Sequence, residues 1–119
     1  MSLRQERINR VLVEQISEII HRMKDPRLGF LTVVEAKVAP DLRTARIGIS
    51  VLGEEDERNK SFKVIEVASG YIRRELGKSA RFKSVPALEF YLDEGALNSF
   101  RVLELLHTIQ EEPTDTGSV

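Results

Sequence analysis

From Ile8 onward the apolar residues recur at 8, 11, 12, 16, 19, 20 and 23, the i, i+3, i+4 spacing of an amphipathic helix. This predicts a first helix over about 3–24. Asp25-Pro26 ends it, because the residue before a proline is pushed out of the α region, and Gly29 adds a second break. Two runs with a period of two follow. Phe30, Thr32, Val34, Ala36 and Val38 share one face of the first run, and Ala45, Ile47, Ile49 and Val51 share one face of the second. Pro40-Asp41 supplies turn chemistry between them, so an antiparallel hairpin with a loop of four or five residues is predicted.

Gly53 and the acidic run Glu54–Glu57 close the hairpin and open the next helix, where carboxylates favour the N-terminal end of the macrodipole. Helical spacing returns at Phe62, Ile65, Ser69, Ile72 and Leu76, with Val64, Ala68 and Tyr71 widening the stripe. Gly70 falls in its middle. A glycine there costs ~1 kcal/mol relative to alanine, so Gly70 is read as a kink or a close-packing point that divides helices at about 57–68 and 70–78. Pro86 then opens a third strand with Leu88, Phe90 and Leu92 on one face. Asp93 is placed to cap a last helix at about 95–110, with Leu103, Leu106 and Ile109 as its stripe. The order α-β-β-α-kink-α-β-α gives an α+β class, a three-stranded sheet packed on one face by helices. The expected division is a single domain over 1–110 and a short disordered acidic tail over 111–119.

A chain of 119 residues has room for one domain. It contains no cysteine, which removes disulfides, thiolate nucleophiles and cysteine-based metal sites and makes an intracellular chain the simpler expectation. No stretch approaches the ~20 apolar residues of a membrane helix, so the protein is expected to be soluble, cytoplasmic and without a membrane partner. The net charge of −1 argues at first against a nucleic-acid partner. The distribution reverses that inference. Residues 58–92 carry eight basic and three acidic groups, residues 93–119 one basic and six acidic. A partner meets a local field, because exposed charges are screened beyond about 8–10 Å at physiological salt.

Enzymatic readings find little support. His21 and His107 are the only histidines and neither stands in a metal-ligand spacing; the acidic run 54–57 lacks the alternating ligands of a calcium loop. Gly77-Lys78-Ser79 resembles the end of a phosphate-binding loop, but that motif's first glycine would fall on Ile72. With Ala80 it also falls one residue short of a G-x-x-G clamp, and a helix-terminating glycine accounts for Gly77. Neither a catalytic residue, a metal site nor a cofactor is expected. The basic cluster carries more. Arg73, Arg74, Lys78, Arg81 and Lys83 fall within eleven residues with only Glu75 opposed, Arg7 and Arg10 share the polar side of the first helix, and Arg27 follows the proline break. Either these cations converge on a phosphate-bearing groove or they form a solvated, mixed surface.

The chain resembles the bacterial ribosome-binding factor A family from about Arg7 to Leu106. The resemblance rests on Lys24-Asp25-Pro26-Arg27-Leu28-Gly29, Asp41-Leu42 with Ala45, Ala68-Ser69-Gly70 with Ile72-Arg73 and Leu76, and Pro86-x-Leu88-x-Phe90 before Asp93, in this order and at these distances. It implies a type II K-homology-like fold in which an Ala-x-Gly kink, here Ala68-Ser69-Gly70, replaces the G-x-x-G clamp. It further implies a non-enzymatic factor that binds the immature small (30S) ribosomal subunit through its 16S rRNA, promotes late rRNA processing and matters for growth in the cold, with assembly GTPases as further partners. Such a factor is expected to work as a monomer without cofactor. Arg7, Arg10, Arg27, Arg73, Arg74, Lys78, Arg81 and Lys83 become the rRNA-facing set. Ser79 departs from the alanine expected in many relatives, and the tail is short and acidic where some members carry a long extension. The competing reading is an α+β protein-interaction domain that docks through a helix face or the acidic C-terminal block and does not touch RNA.

Overall fold

The computed structural model describes residues 1–79 and 81–94. Helix α1 spans Leu3–Met23 and begins with a capping box: Ser2 Oγ accepts the Gln5 N–H at 3.1 Å and Gln5 Oε1 accepts the Ser2 N–H at 3.0 Å. Its apolar stripe is buried at Leu12, Ile16, Ile19 and Ile20. Lys24 ends it in the left-handed region, at a φ of 51°, and a 3₁₀ turn over Pro26–Leu28 follows, with Asp25 Oδ1 accepting the Arg27 N–H. Gly29, at φ 57° and ψ −142°, then takes a conformation that a side chain disfavours and redirects the chain into the sheet.

Strands β1 (Phe30–Val38) and β2 (Thr44–Leu52) form the expected antiparallel hairpin, and β3 (Ala87–Leu92) pairs parallel to β2, giving the order β1-β2-β3. Helix α2 (Glu55–Gly77) makes the crossover that a parallel pair requires. Both helices contact the same sheet, and the core lies between Leu12, Ile16, Ile19, Ala45, Ile47, Ile49, Ile65, Ile72 and Leu76.

Two expectations change. The predicted β1 face of Phe30, Thr32, Val34, Ala36 and Val38 holds only for its last two members. The pairing shifts between Val33 and Glu35, a bulge at Val34, so Val33 is buried on the core side while Phe30 is 80% exposed and Thr32 and Val34 face outward. One inserted residue reverses the phase of a period-two pattern. The division into helices at 57–68 and 70–78 is also replaced, because Glu55–Gly77 is one helical element with Ala68, Ser69 and Gly70 in its interior. Ile65, Ile72 and Leu76 bury on either side of Gly70, and this packing outweighs a local propensity cost of about 1 kcal/mol. A Cβ built on Gly70 meets only Arg74 Nη1, at 3.6 Å, among the described residues, so close packing does not require the glycine there. The expected helix at 95–110 and tail at 111–119 lie outside the described residues.

Candidate nucleic-acid interface

The start of α1, the hairpin loop after β1 and the segment leading into β3 meet at one end of the molecule. They line a groove of about 620 Å³ with Arg4, Arg7, Arg43, Arg81 and Lys83 around an apolar floor that includes Ile8, Leu42 and Phe82. The loop is held by the Ala39 N–H on the Thr44 carbonyl at 2.9 Å, the Leu42 N–H on the Ala39 carbonyl at 2.8 Å, and Leu42 at a φ of 62°. Asp41 Oδ1 accepts the Arg43 N–H at 3.1 Å, which fixes the turn and leaves the Arg43 guanidinium to the groove. The Ala87 N–H reaches the Arg43 carbonyl at 2.8 Å and so holds the segment before β3 against the hairpin.

The eight cations expected to face rRNA divide by their partners. Arg7 and Lys83 line the groove and have no ionic partner among the described residues, and Arg10, one turn beyond Arg7, is likewise exposed and unpaired. Arg81 lines the groove and stands 3.6 Å from Glu14 Oε2, an exposed pair worth little in water. Arg73 donates to the Val85 carbonyl at 3.0 Å, tying α2 to the same pre-β3 segment. Lys78 lies 2.6 Å from Glu75, and its hydrogen bond holds that carboxyl below its ordinary range. Arg74 is exposed on α2. Arg27 sits apart, with Nη2 2.6 Å from Asp25 Oδ2 and Nε bonded to the same carboxylate; these bonds pull Asp25 down to about 2. The groove thus gathers Arg7, Arg81 and Lys83 from the expected set and adds Arg4 and Arg43. Arg43 could have been found as the cation next to the Asp41-Leu42 turn. Arg4 sits one turn before Arg7 on the same helix.

The sheet face turned away from the helices carries a different arrangement, which the sequence did not reveal. Glu35, Gly48 and Tyr91 form one row across the three strands, and Lys37, Arg46 and Glu89 the next. Tyr91 crosses over Gly48 to donate its hydroxyl to Glu35. A Cβ on Gly48 would stand 2.8 Å from Tyr91 Oη and 3.1 Å from Glu35 Cγ, so the glycine makes room for that crossing. Burial first, and then the hydrogen bond to Glu35, push Tyr91 up to about 12. The Arg46 guanidinium lies 4.6 Å above the Tyr91 ring and 3.8 Å from Glu89, and Lys37 lies 3.9 Å from Glu35. Glu35 thus pairs with Lys37 and Glu89 with Arg46, and Asp93 adds a third carboxylate acting on Tyr91.

Among the described residues there is no group of three or more His, Cys, Asp or Glu side chains arranged to hold a metal ion, and no helix is long and apolar enough to cross a membrane.

The family model for ribosome-binding factor A matches residues 4–106. A ribosome-binding factor A of Thermodesulfovibrio yellowstonii is 41% identical over 109 residues, covering 91% of this chain and 92% of its own length. The solution structure of TM0855 from Thermotoga maritima, a putative ribosome-binding factor A, superposes with a TM-score of 0.70 at 27% identity, over 80% of this chain and 92% of that one. A homology model of Thermus thermophilus ribosome-binding factor A, fitted into the cryo-EM map of a 30S complex, superposes with a TM-score of 0.59 at 24% identity, over 70% of this chain and 88% of that one, and shares the fold. The α-β-β-α-β order with β3 parallel to β2 is the K-homology-like topology of these structures. On its sequence across nearly its whole length and on its fold, the chain belongs to the ribosome-binding factor A family.

Proposed function

We propose that this protein binds the immature small ribosomal subunit by laying its basic groove against the phosphate backbone of 16S rRNA. The observation that carries the reading is the convergence of Arg4, Arg7, Arg43, Arg81 and Lys83 from three separate segments, with Asp41 as the only acidic lining residue among those described. Affinity then comes mainly from counterion release at phosphates, and selectivity from the shape of a structured rRNA site, because the deep groove of an A-form helix hides its base edges from side chains. Arg10, Arg73, Arg74 and Lys78 extend the contact along α1 and α2; Arg27 and the Ala68-Ser69-Gly70 stretch inside α2 lie toward its margin. The protein acts by binding rather than by catalysis, in the cytoplasm, as a monomer without cofactor. Its binding promotes late 16S rRNA processing and subunit maturation, including in the cold, and assembly GTPases act on the same particle. The complex of a family member with the 30S subunit supports this reading.

Co-sedimentation with purified small subunits before and after nuclease treatment tests it. Binding is expected to disappear with the rRNA. Binding that survives complete removal of the rRNA would instead assign the surface to a ribosomal protein.

A further inference from the structure

Helix α2 carries a stripe on the side away from the sheet that is exposed except at Val64, which is half-buried against the core. Lys60, Lys63, Val64, Val67, Tyr71 and Arg74 fall at i, i+3, i+4 spacing along one side, with Val67 82% and Tyr71 42% exposed. The first four of these residues form one wall of a groove of about 550 Å³, and Met23, Asp25 and Arg27 form the other. Asp25 is already bonded to Arg27, whereas Lys60 and Lys63 have no ionic partner among the described residues. The groove is therefore apolar within and positive at its rim. An apolar floor with Val67 exposed and Val64 half-buried suits an amphipathic polypeptide with acidic flanks better than a phosphate backbone.

The chain leaves β3 beside the first turns of α2, on the buried side of that helix and across it from the groove. After β3 the Asp93 N–H donates to the Ile49 carbonyl at 2.7 Å, and Glu94 lies 3.6 Å from Arg58 Nη2, two residues before Lys60 on α2. Arg58 is 7% exposed; its Nη1 donates to the Gly53 carbonyl at 2.9 Å, and its buried Nε–H finds no acceptor among the described residues. A buried guanidinium at the exit of the chain is thus only partly satisfied by what precedes residue 95. Beyond it, Leu103, Leu106 and Ile109 repeat at helical spacing, and Glu104, Glu111 and Glu112 stand against Arg101 alone. As a helix, residues 95–112 would reach about 27 Å, more than the ~16 Å of α2 between Lys60 and Tyr71. A tethered segment also meets its own groove at an effective concentration in the mM range, well above that of a free partner.

We propose that residues 95–112 dock along α2 in this groove, with Leu103, Leu106 and Ile109 on Val64 and Val67 and the flanking acids on Lys60 and Lys63. The interaction is intramolecular.

Because the chain has no cysteine, Glu66→Cys accepts a single nitroxide beside the groove, and Lys37→Cys places a control label on the open sheet face. In methyl spectra of the full chain, the Leu103, Leu106 and Ile109 signals are expected to lose most of their intensity with the label at 66 and little with the label at 37. Equal attenuation from both positions, or none from 66, overturns the proposal. So does attenuation that arises only between an isotope-labelled chain and a separate spin-labelled one, which assigns the groove to a second copy. Val67→Glu, at a position outside the core, should abolish the attenuation while the remaining methyl signals stay in place; attenuation that persists in this variant also overturns it.

Discussion

The groove at one end of the molecule and the open face of the sheet both carry several charged side chains but differ in how those charges are paired. On the sheet face, Glu35, Lys37, Arg46 and Glu89 occupy two adjacent cross-strand rows and neutralise one another around Tyr91. In the groove, Arg4, Arg7, Arg43 and Lys83 have no ionic partner among the described residues. The same residue types are therefore paired on one surface and, among the described residues, unpaired on the other. Counting charges along a sequence does not separate these cases; pairing in space does.

Reversing charge in each region should break the comparison most sharply. Arg7→Glu with Lys83→Glu should weaken binding to small subunits on the order of tenfold per site, with an unchanged melting temperature. Lys37→Glu with Arg46→Glu should do the opposite, lowering the melting temperature while the folded protein binds as before. Equal losses of binding in the two variants would remove the distinction between the surfaces.

Next in size is the glycine beneath Tyr91. Gly48→Ala must displace the Tyr91 ring or the Glu35 side chain, and overpacking of this kind costs about 1–3 kcal/mol. A lower urea midpoint with wild-type subunit affinity per folded molecule is expected; an unchanged midpoint would mean that Tyr91 moves aside freely.

The sheet face and the Asp25–Arg27 pair, which lies outside the groove, should respond at opposite ends of the pH range. Tyr91 titrates at about 12 when folded against an ordinary value of 10.0, so its neutral form is favoured by folding. That contribution is complete below pH 10 and is lost as pH rises toward 12. Tyr91→Phe should remove this part of the alkaline decline in stability. At the acid end, Asp25 is held at about 2 against 3.8, so its contribution is present above pH 3.8 and lost as pH falls toward 2. Asp25→Asn should flatten that limb only slightly, since both partners are exposed to water and the pair is screened.

The smallest effect is expected at Gly70. An alanine there meets only Arg74 Nη1 at 3.6 Å among the described residues and should gain up to ~1 kcal/mol in helix propensity. A loss of stability in Gly70→Ala would show that the position is constrained after all.

Much of the fold was legible in the sequence because its signals are uninterrupted. Ala45, Ile47, Ile49 and Val51 alternate without a break and all four bury, and the stripe of α1 ends at Met23 where Asp25-Pro26 forbids its continuation. The bulge was not legible because Leu31, Val33 and Val34 put apolar residues on both faces of β1, so the pattern holds no mark of the phase change at Val34. Gly70 misled because a local propensity was weighed without the buried residues on both sides of it. The site divided in the same way. Arg7, Arg81 and Lys83 could be named from sequence as cations, but that Arg4 and Arg43 join them depends on the hairpin loop closing against the start of α1. That Arg27 and Lys78 are held by Asp25 and Glu75, and Arg73 by the Val85 carbonyl, is visible only in three dimensions. The row of Glu35, Gly48 and Tyr91 needed the register of all three strands.

The central claim, that unpaired groove cations meet rRNA phosphates while the sheet face does not, is tested most directly by the salt dependence of small-subunit binding. In a plot of log K against log salt concentration, Lys37→Glu with Arg46→Glu should keep the wild-type slope, and Arg7→Glu with Lys83→Glu should be shallower by about 2. A groove variant that retains the wild-type slope and affinity would contradict the account.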